Sequence, residues 1–431
     1  MVWTLFVLLL KKIYHICYKC VNSFDLHLYL MYNKNMKNIF PFKIYKFNKQ
    51  QENIFDKYFC EDNGEFYFEG MWFRNQRPEN KKASNYVDET TQRRRYIHFY
   101  NTYENLNHCF TLKYAYLIVS NTLPKEENEE YLNRILSALN KKHFQKVNND
   151  TWELGNLQII IRQYDNHPKN VICDATFPEN YNSVDVIAVT KGYDYIKHYD
   201  RMWEHSTKLY RMPDKRENPL YVNNLDEIKK YLPAQVEMGC GPSIEANIEP
   251  LYKMHEMYKV QNHETGKFYF GKDDDLIERI VLNPSKAYKT FSSTPKRCIN
   301  AKHTTGYKIF NELYKKDIFI GTVYNNNFDR LVKRFDIPEI ILRTYQKDIY
   351  IQKINFDKRA KSLICFGAHA DRRQVEKQAR ENGLKVIYID PEGFYNKTFE
   401  PYPIEGPKDE DIILKMKFED AMKLFKKELN L

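Results

Sequence analysis

Four short clusters hold the residues whose types and spacing could do chemistry. Gly239-Cys240-Gly241-Pro242-Ser243 places two glycines beside a hydroxyl, and glycines let a backbone approach a phosphate while a following helix offers free N–H groups. Asn325-Asn326-Asn327-Phe328-Asp329 gathers side-chain amides and a carboxylate suited to a ribose and a nearby water. Gly367-Ala368-His369-Ala370-Asp371-Arg372-Arg373 is a small-residue turn ending in a basic pair, and Asp390-Pro391-Glu392-Gly393 offers a carboxylate that accepts from ribose hydroxyls. Each cluster alone also fits a tight turn. The weight therefore lies in where the surrounding elements put them.

Each cluster follows a short apolar run with strand character, at 234–238, 318–323, 362–366 and 384–389, and helical spacing covers 243–260, 305–315 and 371–382. Alternating strands and helices predict an α/β architecture, a Rossmann-like doubly wound parallel sheet with helices on both faces. In such a sheet ligands bind beyond the carboxyl ends of the strands, where strand order reverses. All four clusters are thus expected on one edge, forming a nucleotide-type site. The stretch 268–294, with Asp273, Asp274 and Asp275, reads as an insertion or flap.

The first half has a different rhythm and no catalytic signature. Residues 112–120 (LKYAYLIVS) read as a strand. Thr122 and Pro124 open a helix with an acidic first turn and apolar Tyr131, Leu132, Ile135, Leu136 and Leu139 at helical spacing. Gly155-Asn156 joins two runs as a hairpin turn, and 184–190 supplies another strand. This gives a smaller α+β domain of unassigned role over 36–232, after a poorly defined segment at 1–35. The sheet domain follows over 233–400, with a helical tail at 401–431.

Composition narrows the class. The 431 residues carry 67 Lys+Arg against 57 Asp+Glu, with 42% apolar and 15% aromatic residues, so the chain has ample material for a core and is neither collagen-like nor low-complexity. No apolar run reaches the length that crosses a bilayer. The segment 1–10 is apolar, but Lys11 and Lys12 follow rather than precede it, against a secretory signal; Met31 or Met36 offers an alternative start. The eight cysteines are mostly isolated, which fits reduced thiols in a cytoplasmic protein. Cys17 and Cys20 have CxxC spacing without a second pair, and no metal site is assigned. His198, Asp200, Glu204 and His205 lack a fixed third ligand, and His255-Glu256 lacks the second His of a zincin. Arg93-Arg94-Arg95-Tyr96 interleaves charge with aromatics, as single-strand binders do, but a net +10 over the whole chain argues against nucleic acid.

At these clusters the sequence resembles the sirtuin family of NAD-dependent deacylases. Residues 239–243 are similar to its Gly-Ala-Gly-x-Ser loop, and Ile248 falls at the Ile of its Gly-Ile-Pro segment. Asn300-Ala301-Lys302-His303 and the run 309–313 resemble its Pro-Asn-x-x-His stretch and Leu-x-x-Leu helix. Residues 325–329 stand for its Thr-Gln-Asn-Ile-Asp motif, 367–369 for Gly-Thr-Ser, and Asp390 lies near its adenosine-binding Asn. The likeness spans about 236–393.

The resemblance implies NAD as cofactor, with Gly239, Cys240, Gly241, Ser243, Asn326, Gly367, His369 and Asp390 in its binding site and Asn327 and Asp329 as catalytic residues beside the nicotinamide ribose. Three departures matter. Pro250, Leu251 and Tyr252 replace the family's Asp and Arg, 337–346 contains no general-base His, and neither the zinc cysteines nor room for them is present. Losing a positioned base typically costs about 10²–10⁴-fold, so NAD hydrolysis or ADP-ribosyl transfer, with a protein substrate as one acceptor, survives better than lysine deacylation. A non-catalytic NAD or ADP-ribose sensor is the alternative. Beyond the family pattern, Arg372 and Arg373 with His369 either clamp a pyrophosphate, or the extra phosphate of NADP or a cyclic ADP-ribose relative, or form a solvated helix end.

Overall fold

The computed structural model describes residues 38–76, 93–164, 180–196, 218–248, 276–342, 352–368, 373–391 and 407–431. Two sheets dominate. The first is antiparallel: β1 (Phe42–Lys46), β2 (Glu65–Gln76), β3 (Arg93–Asn105), β4 (Cys109–Pro124), β5 (Gln145–Lys146), β6 (Thr151–Leu154), β7 (Leu157–Tyr164) and β8 (Tyr181–Thr190). Their order is β2-β3-β4-β8-β7-β6-β5, with β1 also on β4. The expected hairpin forms, Leu154 pairing with Leu157 across Gly155-Asn156. Helix Lys125–Lys141 lays Tyr131, Leu132, Ile135, Ala138 and Leu139 on this sheet. Glu126 and Glu127 in its first turn and Lys141 in its last complement the helix dipole.

The second sheet is parallel throughout, ordered β12-β11-β10-β13-β14-β15-β9. Its members are β9 (Leu220–Val222), β10 (Ala234–Met238), β11 (Val323–Asn325), β12 (Glu339–Ile341), β13 (Ser362–Phe366), β14 (Lys385–Ile389) and β15 (Ile412–Leu414). From β10 the chain runs outward through β11 and β12, then returns to place β13 on the other side of β10. The order reverses between β10 and β13, where doubly wound sheets open a ligand crevice. Helices Thr305–Lys315 and Phe418–Glu428 cover one face, and helix Val375–Glu381 packs with Leu363, Cys365, Val386 and Tyr388 on the other. Thr304 starts the first of these helices by accepting from the Tyr307 amide at 3.3 Å. Among the described residues no helix is long and apolar enough to cross a membrane.

Several elements differ from the sequence expectation. The strand placed at 318–323 lies instead at Val323–Asn325: Gly321, at φ +69°, interrupts the run and leaves Phe319 a single bridge to Ala234. The helix expected over 243–260 is Gly241–Glu245, ended by left-handed Asn247 at φ +68°, and 249–260 lies outside the described residues. The helix expected from 371 begins at Val375, because Gln374 is left-handed. Of the stretch read as an insertion or flap, 268–275 with Asp273, Asp274 and Asp275 lies outside the described residues, and residues 276–300 form three helices, Leu276–Leu282, Pro284–Phe291 and Ser293–Asn300; Asn283-Pro284 and Ser292 break the helical period that Leu276, Ile277, Ile280 and Val281 begin. These helices pack on the antiparallel sheet and its helix. The parallel sheet also takes β9 from before 233 and β15 from the stretch read as a tail, since three-residue strands are too short to show a period.

Candidate functional site

Three loops meet where the strand order reverses. The Gly239 amide donates to the Phe366 carbonyl at 2.7 Å, and the Gly367 amide to Ile389 at 2.9 Å. A side chain on Gly239 would stand 2.2 Å from the Gly367 carbonyl oxygen, and one on Gly367, at φ +62°, would stand 2.4 Å from the Gly241 nitrogen. The glycines therefore let two loops close on each other. Backbone already fills the volume a Cβ would take at each of them. The Cys240 thiol points to the Gly367 carbonyl at 3.8 Å.

The loop after β11 closes on the same point. The Asn326 amide nitrogen donates to Met238 O at 2.9 Å, and its side-chain amide to Glu237 Oε1 at 2.7 Å. Asn327 receives the Asn325 side chain on its own amide at 2.8 Å and gives its side-chain amide to the Gly239 carbonyl. Ser243 donates its hydroxyl to Asp329 Oδ2, while Asp329 Oδ1 accepts the Leu331 amide at 2.9 Å. Residues 86 and more positions apart thus share one hydrogen-bonded cluster.

Asp329 has no exposed surface, and burial pushes its carboxyl above the usual range; the Leu331 amide, the Ser243 hydroxyl, Arg334 and Arg330 favour its charged form. Arg334 donates to the carbonyls of Ala301, Cys298 and Asp329 at 2.7, 2.8 and 3.1 Å, fixing the turn beneath the carboxylate. Arg330, left-handed at φ +56°, lies 3.8 Å from Glu339 Oε2 and 3.5 Å from Glu61 of the antiparallel half. Glu339 accepts from the Asn325 amide at 2.7 Å, and burial pushes its carboxyl up to about 7. His303 donates from Nε2 to the Leu331 carbonyl, 2.8 Å away, and stacks on Phe335. Burial lowers its pKa and favours the neutral ring.

Of the residues singled out by sequence, Gly239, Cys240, Gly241, Ser243, Asn326, Asn327, Asp329 and Gly367 are brought together. Asp390 is buried one strand further along the same edge, its amide donating to Leu414 at 3.2 Å. Arg373 is buried just ahead of helix Val375–Glu381. His369 and Arg372 lie outside the described residues, as do Cys17, Cys20, His198, Asp200, Glu204, His205 and His255. Arg93, Arg94 and Arg95 open β3, opposite Gln76, Asn75 and Arg74. Sequence reasoning missed Glu237, Arg330, Arg334 and Glu339. Glu237 alone left a signal, a carboxylate inside a strand buried along its whole length.

The fold is thus a mixed α/β one, an antiparallel sheet beside a parallel sheet whose carboxyl edge gathers polar loops. Two solved structures are similar in part: a Sir2 point mutant with a p53 peptide and NAD, and Sir2 with the inhibitor EX-527, 2'-O-acetyl-ADP-ribose and a deacetylated p53 peptide. Each is 13% identical and covers 48% of this chain and 97% of its own, at a TM-score of 0.31. A likeness of that size adds nothing to the geometry above. No protein-family model and no curated protein matches the sequence.

Proposed function

We propose that the parallel sheet is a Rossmann-like dinucleotide-binding sheet and that its carboxyl edge binds NAD and cleaves the nicotinamide–ribose bond. One observation carries this reading: the loops after β10, β11 and β13 converge on the single point where strand order reverses, the place where such sheets take nucleotides. NAD is the dinucleotide the sequence resemblance implies. Breaking its glycosidic bond leaves positive charge on the ribose, which a preorganised carboxylate stabilises. Asp329 is that carboxylate, held from two sides, and Asn327 is fixed beside it by Gly239 and Asn325. Water then adds to the ribose carbon in hydrolysis, or a nucleophile of a protein substrate does so in ADP-ribosyl transfer, with nicotinamide as leaving group and one proton released.

Purified protein incubated with NAD is expected to release nicotinamide, and Asn327→Ala or Asp329→Asn to lower the rate by about 10²–10³-fold, the usual effect of removing one electrostatic group. Folded wild-type protein that neither binds NAD nor releases nicotinamide would sink the proposal. A second reading, a sensor that binds without turnover, draws on the fact that the Ser243 hydroxyl and the Asn327 amide are both engaged by the protein itself. Calorimetric binding of NAD with no nicotinamide release selects it.

A further inference from the structure

Glu237 on β10 and Cys365 on β13 are register partners in adjacent parallel strands, so their side chains project from the same face of the sheet. Glu376, in the first turn of helix Val375–Glu381, comes down onto that face. One ligand atom from each of the three lies within 4.8 Å of the others, and all three residues are buried. Both Glu376 oxygens are sealed from solvent. Glu237 lies 128 positions before Cys365, Glu376 sits on the helix that follows the strand of Cys365, and Tyr324 and Tyr388 flank the row on the neighbouring strands.

The spacing fits a tetrahedral ion. With Zn–S near 2.3 Å and Zn–O near 2.1 Å, a tetrahedral angle puts sulfur and oxygen about 3.6 Å apart. Cys365 Sγ and Glu237 Oε2 stand 3.7 Å apart. Two carboxylates and a thiol converging in a dry interior favour either protons or a cation among them. A thiolate in the set selects zinc over the oxygen-seeking magnesium and calcium. The outer shell is also in place: Glu237 gives Oε2 toward the thiol while its Oε1 accepts the Asn326 amide at 2.7 Å, the arrangement that orients a ligating carboxylate.

We propose that Glu237, Cys365 and Glu376 bind a zinc ion beneath the carboxyl edge of the parallel sheet, tied through Glu237 to the Asn326 loop. The site neither depends on the nucleotide reading nor needs NAD for its test.

Full-length protein is loaded with zinc chloride, desalted and assayed by elemental mass spectrometry, and in parallel titrated with cobalt(II) while near-ultraviolet absorption is followed. One zinc per chain and a thiolate-to-cobalt band are expected, both kept in Cys17→Ser/Cys20→Ser and lost in Cys365→Ser and Glu376→Gln. Asn326→Ala should weaken zinc binding about 10–100-fold, as loss of an outer-shell partner does. Natively folded wild type that retains no zinc and gives no thiolate band overturns the assignment. So does zinc that persists unchanged in Cys365→Ser or disappears with the Cys17 and Cys20 pair. The cobalt spectrum of the wild type decides the matter even if Glu376→Gln fails to fold.

Discussion

Asp329 combines complete burial with four hydrogen-bonding or charged supports, and its chemistry depends on how these balance. If its ionised form stabilises the ribose cation, nicotinamide release falls as pH drops through a point above the ordinary carboxylate range. Ser243→Ala removes a bond to the charged form, so its acid limb moves higher still; a pH–rate profile of the two proteins measures the displacement. The same variant leaves a buried acceptor short of a donor, at a cost of about 1–3 kcal/mol in urea unfolding. An unchanged acid limb in Ser243→Ala would separate Asp329 from the rate. Glu339 runs in the same direction but affects stability. Its folded carboxyl titrates near 7 against an ordinary 4.5, so the native state prefers it protonated. Its contribution is fully present below about pH 4.5 and lost as pH rises through about 7, a change of about 3 kcal/mol. Glu339→Gln removes the group, so the wild-type-minus-variant stability difference should decline across that window; a flat difference contradicts it.

Among the elements, the loop after β13 is the least tolerant of change. Gly367→Ala meets both a left-handed backbone and the Gly241 nitrogen at 2.4 Å, whereas Gly383→Ala, at φ +75°, meets nothing within 4 Å. The second substitution should cost about 1–2 kcal/mol, the left-handed penalty alone, and leave NAD binding unchanged. The first should cost more and abolish binding, as denaturation and calorimetry would show. Equal behaviour of the two would mean that the loops do not need their close approach. Three of the strands that carry the site were legible in the sequence, at 234–238, 362–366 and 384–389, whereas β11 was placed too early, at 318–323. The short strands β9, β12 and β15 were not legible, because three residues complete too little of a period. Nor was the Ser243–Asp329 bond, whose partners meet only once the parallel order is set.

The whole molecule is joined across its two sheets by one apolar core, running from Phe40 and Phe66 through Ile135 and Ile280 to Phe366 and Phe425. The helices at 276–300 lie between them: Tyr288 packs edge-on against Phe40 at 5.2 Å and Tyr103 of β3 reaches Ser292 at 3.3 Å on one side, while Arg334, after β11, donates to the Cys298 carbonyl at 2.8 Å on the other. Unfolding should therefore be a single transition, with Trp152 fluorescence in the antiparallel sheet and amide exchange in β10 and β13 reporting the same stability. Two separated transitions would show independent halves.

Phe68 of β2 meets Phe328, the residue between Asn327 and Asp329, with ring centroids 4.9 Å apart. The larger sheet thus packs directly against the loop that follows β11 in the smaller one. Phe68→Leu removes that ring contact without touching a polar group, so it should alter the NAD affinity measured by calorimetry as well as stability; unchanged affinity would mean that the contact does not hold the loop.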